Sequence, residues 1–363
     1  MSRTVIVLAA LAVLILAACS APGVPAASDP PSAGPPEESG DVAPSPSPSA
    51  EGVEPTPAAT AAWTGHPAEG LALVQEVDGD DPTTQVFIFE ADGSARQVTG
   101  LSNALGASYP VWSPDGSRLA FNDPKVGSGL FGQVGIVNAD GSDELNFGEG
   151  RDHRWSPDGT RIVYWESDPV GNEETSIYLL DVASGEVRDI GPGAQPQWLP
   201  DGQRISFVRT IELDGGAIAP ALHVMSVDGG EAQMIAQDTM AYWSPDGASV
   251  LLEHEGVISL ADADFGDPRE IVDGFSPTWA PDSQSFVVAY DNDADANPIL
   301  ALVDLEGMAT WSGVSGSLPT WSPDGTRLAV EIYDPEFGIV RVIEAATGSV
   351  VFETQGKQPA WRP

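Results

Sequence analysis

The chain has 363 residues, with 54 acidic and 15 basic side chains and a formal net charge of −39. A surface this acidic repels nucleic acid and anionic headgroups at long range, so it suits a cation or a basic partner, or simply keeps the protein soluble. Cys19 is the single cysteine, so no intramolecular disulfide can form.

Residues 1–18 read as an export signal. Arg3 supplies the positive start, and Val5 to Ala18 is an unbroken apolar run. That run is shorter than the ~20 residues a membrane-spanning helix needs. It ends in Leu16-Ala17-Ala18-Cys19, which resembles the lipobox of bacterial lipoproteins. The resemblance implies that Cys19 becomes the mature N-terminus and carries lipid. The protein would then sit on the extracytoplasmic face of the cell membrane, held by that anchor. The alternative is a cysteine that merely ends a signal peptide.

Residues 19–68 read as a disordered linker. Ser20 to Ala62 holds eleven prolines, six acids and no Lys or Arg. With so few large apolar side chains, nothing offsets the entropy of ordering it. A flexible chain of that length spans ~36 Å and an extended polyproline-like one ~130 Å.

Residues 69–363 form one repeating domain. Trp-Ser-Pro-Asp-Gly or a close variant starts at Trp112, Trp155, Trp198, Trp243, Trp279 and Trp321, and a truncated copy, Trp361-Arg-Pro, ends the chain. The spacings are 43, 43, 45, 36, 42 and 40 residues, the length of a four-stranded propeller blade. The Ser-Pro-Asp-Gly segment suits a type I turn, with Pro presetting the second position and Gly favoured at the fourth. In the unit from Trp155, this turn leads into strand-like 161–165. A loop follows, then β-rich 176–181, and Ser184-Gly185 turns the chain into 187–190. A Pro two residues before most of the tryptophans suggests that the strand carrying it is short or lies at an edge. The unit from Trp243 is irregular, with a second connection reduced to about 253–256.

Segment 85–94 aligns with 133–142, so 71–98 supplies strands two to four of a further blade. Its missing first strand is available at the other terminus, in Gln358-Pro-Ala-Trp361. The expected fold is therefore an all-β, seven-bladed β-propeller. Each blade has four antiparallel strands, and one blade is shared between the termini, which hides two sheet edges. Trp63 as a degenerate first strand, and a six-bladed ring, are the alternatives.

The pattern resembles the TolB-like propellers, also found as the propeller domain of prolyl oligopeptidases, over roughly 71–363. The resemblance implies an extracytoplasmic binding or scaffolding platform. It carries no activity, because one fold hosts many functions.

The sequence contains no Gly-x-Ser-x-Gly nucleophile motif, and its four histidines share no ligand spacing. The expectation is a non-catalytic binding module with no cofactor. The alternatives are a propeller enzyme of lyase or glycosidase type using carboxylates at the channel mouth, and an accessory subunit of an envelope or transport complex. Asp291, Asp293 and Asp295 alternate as calcium ligands do, but Ala296 and Leu302 replace the Gly and Glu of an EF-hand loop. Either a calcium site or an ordinary acidic loop fits. Connectivity places the Trp-Ser-Pro-Asp-Gly turns and the Asp-Gly hairpins on one face. The longer second-to-third loops, such as 209–220, lie on the other. Those loops hold the candidate binding acids Asp80, Asp123, Asp168, Glu174, Asp214, Glu255, Asp293 and Glu336. A protein or small-molecule partner is expected there, and the repeated tryptophans are expected to pack between blades.

Overall fold

The computed structural model describes residues 66–77, 83–100, 106–124, 132–166, 175–291, 297–335 and 337–363. All of them fall within one compact unit, Trp63–Pro363. They build seven four-stranded antiparallel sheets, with no helix, in the arrangement of a seven-bladed propeller. Blade 1 pairs the C-terminal strand Lys357–Trp361 with Leu71–Val77, followed by Thr83–Phe89 and Ala95–Gln97. Blades 2 to 7 span 108–149, 151–192, 194–237, 239–273, 275–315 and 317–355. The terminal-sharing arrangement holds, with Leu71 opposite Trp361 and Ala72 opposite Ala360.

The second and third strands of most blades are buried on both faces along their middle, so they read as apolar runs rather than alternations. Leu119, Ala120 and Phe121 are fully buried, as are Ile162 and Val163. The core lies between blades. Ala120, Val134 and Ile136 of blade 2 pack with Trp155, Ile162, Tyr164 and Leu180 of blade 3. Each large apolar side chain buried this way stabilises the fold by about 1.5–3 kcal/mol.

The turns work as their sequence suggests. In blade 2, the Gly116 amide donates to the Ser113 carbonyl, and the Ser113 hydroxyl donates to Asp115 Oδ1 at 2.7 Å. The Ser117 amide donates to the same carboxylate oxygen at 3.0 Å. The turn at Ser156 repeats the pattern through Asp158 and Thr160.

The first strands of most neighbouring blades touch each other, so these strands surround the central channel. A free strand edge leaves carbonyls unpaired, and the repeated tryptophans cap them. The indole N–H of Trp155 donates to the Val111 carbonyl at 3.1 Å, that of Trp198 to Arg154 at 3.0 Å, and that of Trp279 to Tyr242 at 2.9 Å. Trp112 donates to Ala360, and Trp321 makes a longer bond of 3.4 Å to Thr278. In each case the acceptor is the residue just before the preceding blade's tryptophan. Trp243 and Trp361 break the pattern, since their buried indole nitrogens find no acceptor.

Six first strands carry a bulge with a left-handed residue three positions before the tryptophan. These residues are Tyr109, Asp152, Gln195, Ser276, Leu318 and Gln358, with φ between 49° and 54°. Blade 5 has none, and Thr239–Trp243 pairs with Val250–His254 without a slip. The blade link just before several bulges is glycine by necessity. Gly150 has φ 155°, and a Cβ there would stand 2.3 Å from the Tyr164 ring.

Candidate functional site at the loop-face mouth of the channel

The bulge residues occupy the half of each first strand that lies away from the tight turns, so they ring the channel near its loop-face mouth. Around blades 7, 1, 2 and 3 they converge with charged neighbours. Glu331 Oε2 accepts the Gln358 amide at 2.8 Å, and Gln358 Oε1 accepts the Tyr109 amide at 2.6 Å. A bulge amide has no ladder partner, and here each one is caught by a side chain of the preceding blade. Blade 6 does the same, as the Ser276 amide donates to Glu253 Oε2 at 2.9 Å.

In blade 3, Asp152 Oδ2 accepts the Trp165 indole N–H at 2.6 Å, and the Arg151 guanidinium lies 4.0 Å above the Trp165 ring. Tyr109 is half exposed, yet burial raises its phenol above the usual range, with Asp152 and Glu331 adding to the shift. Arg151 is lowered by burial, while Asp152 and Tyr109 oppose that shift. The mouth therefore presents a phenol, a guanidinium, two carboxylates and an amide, beside the exposed Leu318.

Burial holds the Glu253 carboxyl above its usual range. It accepts the Tyr242 hydroxyl at 2.9 Å, besides the Ser276 amide. Its bonded partners are thus a phenol and an amide rather than a second carboxylate.

The acids singled out in the sequence are distributed differently. Asp123 is not on the rim: it is the last residue of Arg118–Asp123 and fully buried. Asp214 is exposed in the loop 213–217, which is shorter than expected because Arg204–Glu212 and Ile218–Ser226 extend into it. Glu255 is exposed at a two-residue turn with φ 49°, and Asp291 is exposed after Ser285–Tyr290. Asp80, Asp168, Glu174, Asp293, Asp295 and Glu336 lie outside the described residues, as does Cys19. Among the described residues, no group of three or more His, Cys, Asp or Glu side chains could hold a metal ion. His153 and His223 are buried, as expected of packed side chains. Burial lowers His153 to about 4, and its Nδ1 lies 3.0 Å from Asn122 Oδ1.

These features define a seven-bladed propeller with a polar, partly desolvated channel mouth. The fold is shared with solved structures of differing function. TolB from Acinetobacter baumannii is 17% identical with a TM-score of 0.51, over 81% of this chain and 83% of that one. An oligogalacturonate lyase in complex with manganese is 15% identical with a TM-score of 0.54, over 78% of this chain and 85% of the lyase. Prolyl oligopeptidase B from Galerina marginata is 11% identical with a TM-score of 0.56, over 80% of this chain and 52% of the peptidase. At these identities the likeness establishes fold alone. No family model matches the sequence, and no curated protein matches it.

Proposed function

We propose that this protein is a lipid-anchored, extracytoplasmic binding module that engages a basic partner at the loop-face mouth of its channel. The observation that carries the reading is the convergence of Tyr109, Asp152, Glu331 and Gln358, contributed by four neighbouring blades, at the channel mouth. The net charge of −39 supports it by attracting a cationic partner. Leu16-Ala17-Ala18-Cys19 supports the anchor, and the proline-rich stretch after it would hold the propeller off the membrane. The solved TolB structure supports the platform reading through the shared fold. Asp291, Asp293 and Asp295 remain the proposed place for a calcium ion.

A photocrosslinking residue at Tyr109 tests the mouth in intact cells, with one at Asp140 on the tight-turn face as reference. The reading expects adducts with a discrete partner from position 109 and not from 140. Equal adducts from both, or none from either, contradict it. Labelled fatty acid should be incorporated into the parent protein but not into Cys19→Ala.

A second reading, a propeller enzyme, is favoured by the raised Glu253 carboxyl at the channel and by the solved lyase of the same fold. Turnover of an acidic oligosaccharide by the parent protein, lost in Glu253→Gln, would establish that reading in place of the first.

A further inference from the structure

The channel's other end carries a hollow of about 350 Å³ where blades 3, 4 and 5 meet. Its origin is legible in the chain. Blade 5 has Ala241 two residues before its tryptophan, where five other blades have proline, and it is the one blade without a bulge. Its first strand is therefore one residue out of phase with the others. Trp243 does not reach the Gln197 carbonyl, its expected acceptor, and its indole nitrogen is left without a partner. The ring of indole–carbonyl bonds is interrupted here. Trp243 is only partly buried, whereas Trp155 and Trp198 are 8% exposed. The hollow opens at this interruption, walled by the three indoles and by the prolines of the turns that follow them.

Its polar lining side chains are Arg154, Gln197 and Ser244, and the Ser244 hydroxyl is already donated to Asp246 at 2.6 Å. Arg154 and Gln197 hold the same ring position in consecutive blades, one residue before Trp155 and Trp198, and both line the hollow. Arg154 is exposed. Its guanidinium donates to the His153 carbonyl at 3.1 Å and makes no ion pair among the described residues. The neighbouring arginines are committed elsewhere. Arg161 donates to the Gly202 carbonyl and lies over Trp198, while Arg204 pairs with Asp201 at 2.7 Å. The bordering turns carry three acids, Asp158, Asp201 and Asp246, which Arg154, Arg161 and Arg204 match in number. In a chain of net charge −39 this is a locally balanced place, with one guanidinium still able to donate.

We propose that this hollow is a second binding site, separate from the loop-face mouth, for a small ring compound bearing one carboxylate. The ring would lie against the indole and proline walls, and the carboxylate would accept from Arg154, with the Gln197 amide beside it. Arg–carboxylate bonds are charge-assisted and geometrically selective. The hollow is open to solvent rather than enclosed, so it would hold a small ring by one face and leave the other face wet.

The test uses benzoate and its neutral isostere benzamide, titrated into the full-length protein and followed by tryptophan indole N–H signals. Benzoate should shift the Trp243 signal, assigned by its absence in Trp243→Phe, and should bind about tenfold more tightly than benzamide. Arg154→Gln should remove that preference while leaving benzamide affinity unchanged. Arg154→Lys should restore part of it, and Arg118→Gln, an exposed arginine outside the hollow, should change nothing. Equal affinity for the two probes, an unaltered preference in Arg154→Gln, or no response at millimolar benzoate overturns the proposal.

Discussion

Asp115 and Asp158 show how one side chain serves the fold. Each is held at about 2, below the ordinary 3.8, chiefly by a serine hydroxyl and then by bonds from Ser117 or Thr160. A depressed pKa means that the folded state favours the charged form. The stabilisation is complete above the ordinary carboxylate value and is lost as pH falls toward 2. Replacing both residues with Asn should therefore lower the melting temperature at neutral pH, and the deficit should shrink between about pH 5 and pH 2. A deficit constant with pH would show that these carboxylates act by shape alone. The tryptophans give a second prediction at this scale. Trp279→Phe abandons the Tyr242 carbonyl, whereas Trp243→Phe removes a donor that has no acceptor. The first should cost about 1 kcal/mol more than the second in denaturant unfolding, the net worth of one hydrogen bond. Equal costs would mean that the indole–carbonyl ring contributes nothing measurable. These roles were partly legible. The repeated Trp-Ser-Pro-Asp-Gly named the turns and the packed indoles, but nothing in it told which carbonyl each indole would cap.

At the scale of the strand, the signal for the bulges was present but pointed elsewhere. Proline two residues before tryptophan suggested a short or edge strand, and the strands carrying it are five-residue edge strands. In the structure it marks the left-handed residue just before it, as at Tyr109-Pro110 and Gln195-Pro196. His153 keeps the bulge without proline, and Ala241 accompanies its loss in blade 5. The mouth residues were missed for that reason, because strand periodicity alone cannot reveal a left-handed turn inside a strand. Loop acids were the more visible choice, and the burial of Asp123 shows its weakness: a strand can run two residues further than its pattern suggests. The few arginines also work at this scale, clamping neighbouring blades through backbone carbonyls. Arg96 donates to Ala139, Arg188 to Val227, Arg269 to Leu305 and Arg327 to Pro67. The C-terminal strand is the largest such clamp. Besides pairing with Leu71–Val77, it holds the Tyr109 amide through Gln358, and Arg362 donates to the Gly116 carbonyl at 2.8 Å. Deleting Gln358 to Pro363 should lower stability by several kcal/mol, a large share of a typical ~5–15 kcal/mol. An unchanged melting temperature would contradict closure by the C-terminal strand.

At the scale of the whole molecule, the propeller brings together residues far apart in sequence. Tyr109 and Gln358 are separated by 249 positions yet share a hydrogen bond. The blade count and the shared blade were legible because each repeat is one four-stranded unit, and the incomplete first copy complements the surplus last strand. The mouth was not, since it exists only once the ring has closed. Its charge is the point on which the functional account turns. Hexalysine peptide titrated at low and at physiological salt, into the parent protein and into Asp152→Asn/Glu331→Gln, tests it most directly. The account predicts binding that weakens with salt, because exposed charges are screened over about 8 Å at physiological ionic strength. It also predicts a several-fold loss in the double variant, with Asp140→Asn/Asp228→Asn on the tight-turn face behaving as the parent. Equal losses from the two faces, or binding indifferent to salt, would contradict recognition at the loop-face mouth.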